Sequence, residues 1–277
     1  MFRSIRLGSA FGIPLYLHPS FFLLPLLALA WGRRGGPSGM IFEQVLLLAL
    51  FGCVLLHELG HALAARAFGI RTRDITLYPI GGVARLESTG HSPWQEVCVA
   101  LAGPAVNVAV VALLAPLAFF ALAAGLLDLA DPLAGPLTAL GTFVTSLAVV
   151  NAGLVAFNLL PVFPMDGGRV LRAVLAMTMS HLRATEIAAT LGLFAAGGMA
   201  LVGLLWDPAL VLVAAFVAFA GQQELAALRQ RAAARASEPE PAGEATHPGL
   251  NGFTGFLYDR DHHVWVPWVN GRPAHGR

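Results

Sequence analysis

Residues 41–65 form an apolar run of membrane-spanning length with the sequence His57-Glu58-Leu59-Gly60-His61 inside it. Few folds accommodate that combination. Backbone in lipid must satisfy its own hydrogen bonds, so a run of about 20 apolar residues is confined to a helix. On a helix, positions i and i+4 share a face, which brings His57 and His61 together with Glu58 beside them. Ionisable groups at lipid depth are costly and mark function by default.

Composition supports a membrane setting for the whole chain. Hydrophobic residues make up 57% and charged residues 12% of 277 residues, more apolar surface than a water-soluble core can use. Net charge is +1 and every basic residue is Arg, so there is no basic stripe that would suit nucleic acid. Cys53 and Cys98 both lie in apolar runs and read as small buried hydrophobes, with no disulfide framework or CxxC pair.

Apolar runs near 15–32, 41–65, 95–127, 137–160, 186–206 and 208–224 predict an all-α polytopic membrane protein with about six transmembrane helices. The first run follows Arg3 and Arg6 and ends in Ala28-Leu29-Ala30, as a cleaved signal would. Pro14, His18, Pro19 and Pro25 interrupt it, and it reads as a retained span. Arg residues cluster in alternate connections, with only Arg33 and Arg34 on the opposite side. This predicts a multi-pass protein of the cell membrane with both termini cytoplasmic. His57 and His61 then lie roughly 8–14 Å inside the cytoplasmic end of the second span at Arg66.

The histidine pair suits a divalent metal, and Glu58 is placed to take a proton from a metal-activated water. Catalytic zinc usually has three protein ligands, so a third donor is needed. Asp166 is the leading candidate. It follows Pro161 and Pro164 and precedes Gly167-Gly168, a broken segment that falls at the same cytoplasmic end as His61. Without the histidines it would read as a solvated turn residue.

Between the second and third spans, residues 74–87 are too short and too polar at their ends to cross a bilayer. Two β-like runs flank Gly81-Gly82 and predict a short membrane-associated β-hairpin or sheet. An open edge there could pair with an extended substrate strand, which makes Gly81 and Gly82 candidate substrate-binding positions.

HELGH at 57–61 and NLLPVFPMDGG at 158–168 together resemble the site-2 proteases, the intramembrane zinc metalloproteases of peptidase family M50. Residues 8–21, LYPIGGVARL at 77–86 and LAGPAVN at 101–107 extend the resemblance over residues 1 to about 225, most like the six-span bacterial and archaeal branch. It implies a site-2 protease fold and one Zn²⁺ per chain on His57, His61 and Asp166. Glu58 would be the general base of a metalloendopeptidase acting within or near transmembrane segments. It also implies that Asn158 binds substrate or the developing oxyanion, while Gly103, Pro104 and Asn107 pack around the site. Expected partners are the bilayer and single-span membrane proteins such as an anti-sigma factor or a membrane-tethered regulator.

Three segments organise the chain on this reading. A protease domain occupies 1–225, a basic extension and disordered linker 226–252, and a short aromatic tail with a possible hairpin 253–277. The roughly 50 residues after the last span are too few for the paired nucleotide-sensing (CBS) modules common in this branch. Two other functions compete. A zinc or proton transporter would place polar residues along several helices, yet the third, fifth and sixth spans are almost wholly apolar. An inactive membrane scaffold would have no need of His57, Glu58, His61 and Asp166 together.

Overall fold

The computed structural model describes residues 4–31, 36–79, 81–87, 92–129, 131–237, 252–259, 264–269 and 272–273. They divide into two compact units, Met1–Ala226 and Ala227–Arg277.

The first unit begins with strands β1 (Ile5–Ala10) and β2 (Ile13–Leu17), followed by a 3-10 turn at Pro19–Phe22 and the helix α1 (Leu23–Trp31). The long helix α2 (Gly36–Ala67) leads to β3 (Thr72–Tyr78) and β4 (Gly81–Leu86). Then come helices α3 (Pro93–Ala123), α4 (Pro136–Asn158), α5 (Asp166–Ala176) and α6 (His181–Leu205). The last long helix, α7 (Pro208–Ser237), begins in this unit.

Among the described residues, five stretches are long and apolar enough to cross a membrane: Gly39–Ala67, Pro93–Ala123, Pro136–Asn158, His181–Leu205 and Leu210–Gln230. The expected first span at 15–32 is not among them. Its leading residues are strand β2, and its apolar helix covers only Pro19–Leu29, about half the roughly 30 Å hydrocarbon thickness. An apolar strand followed by an apolar helix looks like one continuous span until the pairing is seen.

The four strands form one sheet in the order β1-β2-β3-β4. The two outer pairings are antiparallel, but β2 and β3 are parallel, with Leu15 opposite Ile75 and Leu17 opposite Leu77. Parallel neighbours need a long crossover, which α1 and α2 supply. The β element expected at 74–87 is therefore half of a larger sheet whose other half comes from the N-terminus.

That sheet is seated on α2. Ile13 and Ile75 pack with Leu59 and Ala62, while Leu17 and Leu77 pack with Phe21 and Phe51. The Asp74 carboxylate joins β3 to β4, accepting from Arg85 Nε at 2.8 Å and Nη2 at 2.7 Å. Helix α2 stops in a glycine-terminated cap. Gly69, at φ +77°, lets its own N–H reach Arg66 O and that of Ile70 reach Ala65 O, both at 3.0 Å. Ile70 then covers Ala65 and Val99, which closes the helix end against α3.

The second unit contains a three-stranded sheet in the order β5-β6-β7, with strands Gly255–Asp259, Val264–Val269 and Arg272–Pro273. Strands β5 and β6 pair antiparallel, and the Tyr258 and Trp265 rings lie 5.2 Å apart. Residues 238–251 of the expected linker and 260–263 of the expected hairpin turn lie outside the described residues.

Candidate metal centre

Helix α2 places His57 and His61 one turn apart, with ring centroids 4.7 Å from each other at an interplanar angle of 85°. Asp166, the first residue of α5, completes the group. Its Oδ2 stands 3.1 Å from Nε2 of both histidines, and the two Nε2 atoms are themselves 3.1 Å apart. All three residues are buried.

Glycines make this convergence possible. A β-carbon at Gly167 would collide with the Leu159 and Leu160 carbonyls, and one at Gly168 with the backbone of Val162 and Phe163. The chain doubles back tightly after α4, and that turn carries Asp166 to the histidines. On the opposite side, Gly103 of α3 lies flush against both imidazoles, where a β-carbon would come within 2.8 Å of His57 Nε2 and closer still to the His61 ring. Gly60 brings the same two helices together at Ala102 and Val106.

The donor set fits a tetrahedral cation. Ligands about 2.0–2.1 Å from zinc lie about 3.3 Å from one another, close to the spacing seen here. His61 Nδ1 donates to Val99 O at 2.7 Å, which leaves its Nε2 as a lone-pair donor in the neutral ring. Donor atoms of His57, His61 and Asp166 thus converge on one point, an arrangement that a cation or shared protons between them would satisfy.

Glu58 is half-buried beside the group, and Gly82 of β4 lies directly against its side chain. The glycine stretch expected to meet substrate therefore borders the carboxylate expected to act as base. Asn158 behaves differently. At the end of α4 its Nδ2 donates to Leu154 O at 3.0 Å, a bond within its own helix.

A charge cluster built on the buried Arg172, next to the site, has no counterpart in any motif of the sequence. Arg172 of α5 is 3% exposed and donates to Glu96 of α3 and, at 2.8 Å, to Glu224 of α7. His181 Nε2 adds a 3.7 Å contact to Glu96, and the Arg172 guanidinium lies 5.2 Å above the Phe163 ring. The cluster ties the helix carrying Asp166 to the first turn of α3. Its members are 52 and 76 positions apart in sequence, too far for any local pattern to join them.

The fold and this site define a polytopic membrane protein with a buried His₂Asp cation centre. Peptidase family M50 matches residues 45–202, more than half of the sequence, and the chain belongs to that family, the site-2 proteases. A zinc metalloprotease of Methanocaldococcus jannaschii is 37% identical over 223 residues, covering 80% of this chain and 60% of its own. A Synechocystis protein is 38% identical over 182 residues, 63% of this chain and 45% of its own. This chain thus spans about half to three fifths of the length of these relatives. Among solved structures, the site-2 protease from Methanocaldococcus jannaschii superposes with a TM-score of 0.59 at 35% identity, covering 80% of this chain and 95% of that one.

Proposed function

We propose that this protein is an intramembrane zinc metalloprotease that hydrolyses peptide bonds within or near the transmembrane segments of membrane-anchored proteins. The observation that carries the proposal is the convergence of His57, His61 and Asp166 beside Glu58 at the end of a spanning helix. In this reading the three residues hold one Zn²⁺ and Glu58 is the general base. When bound, zinc supplies Lewis-acid polarisation of a carbonyl and a water of lowered pKa.

The rest of the work belongs to the chain. Glu58 takes the proton of the attacking water and returns it to the leaving amine. Strand β4 is the outer strand of its sheet, so one of its edges can pair with an extended peptide. Substrate must leave its helical state to do so, because a helical peptide's carbonyls are already paired within the helix. With Gly82 against Glu58, a strand laid along β4 would run past the base. The backbone at Gly81 and Gly82 serves as the docking rail, and Asn158, through its amide oxygen, contributes to substrate positioning from the end of α4.

The substrates in this reading are single-span regulatory proteins, such as an anti-sigma factor or a membrane-tethered regulator. The protein sits in the cell membrane with both termini cytoplasmic. In this reading the short apolar helix at Pro19–Leu29 counts as a sixth crossing, and the parallel β2–β3 pair supports it, since it returns the end of α2 to the sheet that holds the N-terminal strands. Residues 1–225 form the protease domain, 226–252 the extension and linker, and 253–277 the aromatic tail.

The test uses purified protein in detergent with a synthetic single-span substrate. Cleavage that stops on chelation and returns with Zn²⁺ supports the proposal; a zinc-loaded protein that leaves a panel of such substrates intact contradicts it.

A further inference from the structure

The two histidines are anchored unequally. His61 Nδ1 donates to Val99 O at 2.7 Å, whereas His57 Nδ1 is buried with no hydrogen-bond partner among the described residues. A metal-ligating histidine ordinarily donates its second ring N–H to a fixed acceptor, which sets tautomer and ring orientation. An N–H left unpaired inside an apolar bundle is costly.

A second unpaired group lies at the same level. Asn107 of α3 is fully buried, and neither its Oδ1 nor its Nδ2 has a partner among the described residues. Contacts along the α2–α3 interface fix the register. Ala65 packs with Val99, His61 bonds Val99 O, and Gly60 abuts Ala102 and Val106. The helices are therefore antiparallel, and stepping back from Gly60 to His57 moves forward along α3 to Asn107. That residue is also one turn beyond Gly103, which touches both imidazoles.

We propose that Asn107 is a positioning residue for the metal centre, its carboxamide oxygen turning to accept the Nδ1–H of His57 when the cation is bound. The bond holds the ring in the tautomer whose Nε2 lone pair faces the cation. A carboxamide suits this place because it accepts a hydrogen bond without adding another charge at lipid depth. The proposal goes beyond packing for the LAGPAVN segment and rests on the reading of His57, His61 and Asp166 as zinc ligands.

The experiment compares full-length native protein with Asn107→Leu and Asn107→Asp in detergent, using zinc alone as the probe in competition with a chromophoric chelator. Asn107→Leu is expected to bind zinc about 10–100-fold more weakly. Its metal-free form should melt no lower than native, because an apolar side chain of similar volume replaces an unpaired amide. Asn107→Asp keeps the acceptor and is expected to bind zinc at least as tightly as native. Zinc-loaded native protein carrying ¹⁵N-histidine and ¹³C-asparagine gives a reading that needs no variant to fold: one histidine Nδ1–H should correlate with an asparagine side-chain carbonyl. Native zinc affinity in Asn107→Leu, or no such correlation, overturns the proposal and leaves Asn107 a packing residue. Failure of the native chain itself to bind zinc defeats the ligand reading first, and this inference with it.

Discussion

Gly82 lies so close to Glu58 that a β-carbon on the glycine would overlap Glu58 Cγ and come within 3.0 Å of its Cδ. Strand β4 and the carboxylate beside the metal centre are thus in direct contact. Gly82→Ala must displace either the strand or the carboxylate. A shift of about 1 Å in a reacting group costs on the order of 100-fold in rate. The expected outcome is a loss of that size in substrate cleavage with zinc content unchanged, measured by kinetics and metal analysis on the same preparation. Wild-type kinetics in Gly82→Ala would show that β4 has no part in placing Glu58.

Gly103→Ala reaches the site from the opposite side. A β-carbon there meets both imidazoles, so the rings must turn away from Asp166 or α3 must withdraw from α2. Zinc affinity is expected to fall on the order of a hundredfold, read by chelator competition. Native affinity in this variant would mean that the close fit of α3 does not hold the rings.

Arg172 is expected to govern stability rather than chemistry. Arg172→Ala leaves Glu96 without its principal counter-charge in a largely buried place, and removing one partner of a buried pair costs about 3–5 kcal/mol. Denaturant unfolding in detergent micelles measures this loss. Adding Glu96→Gln to Arg172→Ala should recover much of it, since the stranded charge disappears; no recovery would assign the loss to packing on Phe163.

Membrane topology gives a separate prediction. The parallel β2–β3 pair requires the segment before α1 and the segment after α2 to lie on the same side of the membrane. After replacement of Cys53 and Cys98, single cysteines at the exposed positions Ser9 and Arg71 should both react with an impermeant maleimide added from the cytoplasmic face, and neither from outside. Labelling from opposite faces would contradict the pairing.

The sequence made some parts of this protein legible and concealed others. HELGH needs only helical periodicity to bring His57 and His61 together, and Asp166 stood out because acids are scarce near apolar spans. The N-terminal strands were concealed because Ile13–Leu17 is as apolar as the helix that follows, and only pairing with β3 separates them. The Arg172–Glu96–Glu224 cluster and the Gly82–Glu58 contact were concealed for another reason. Both join residues from different elements, and nothing local in the chain encodes their meeting. Asn158, expected from its motif to face substrate, donates its Nδ2–H to Leu154 O within its own helix, a local bond the motif does not encode.

The most direct test of the central claim is zinc content measured together with cleavage of a synthetic single-span substrate, for native protein, Glu58→Gln and Asp166→Ala. Native protein should carry one zinc and cleave. Glu58→Gln should keep the metal and lose at least about 100-fold in rate, while Asp166→Ala should lose the metal and with it the activity. Undiminished cleavage by Glu58→Gln, or zinc retained at native affinity in Asp166→Ala, would contradict the account. Zinc crossing liposomes with no cleavage would point to transport instead.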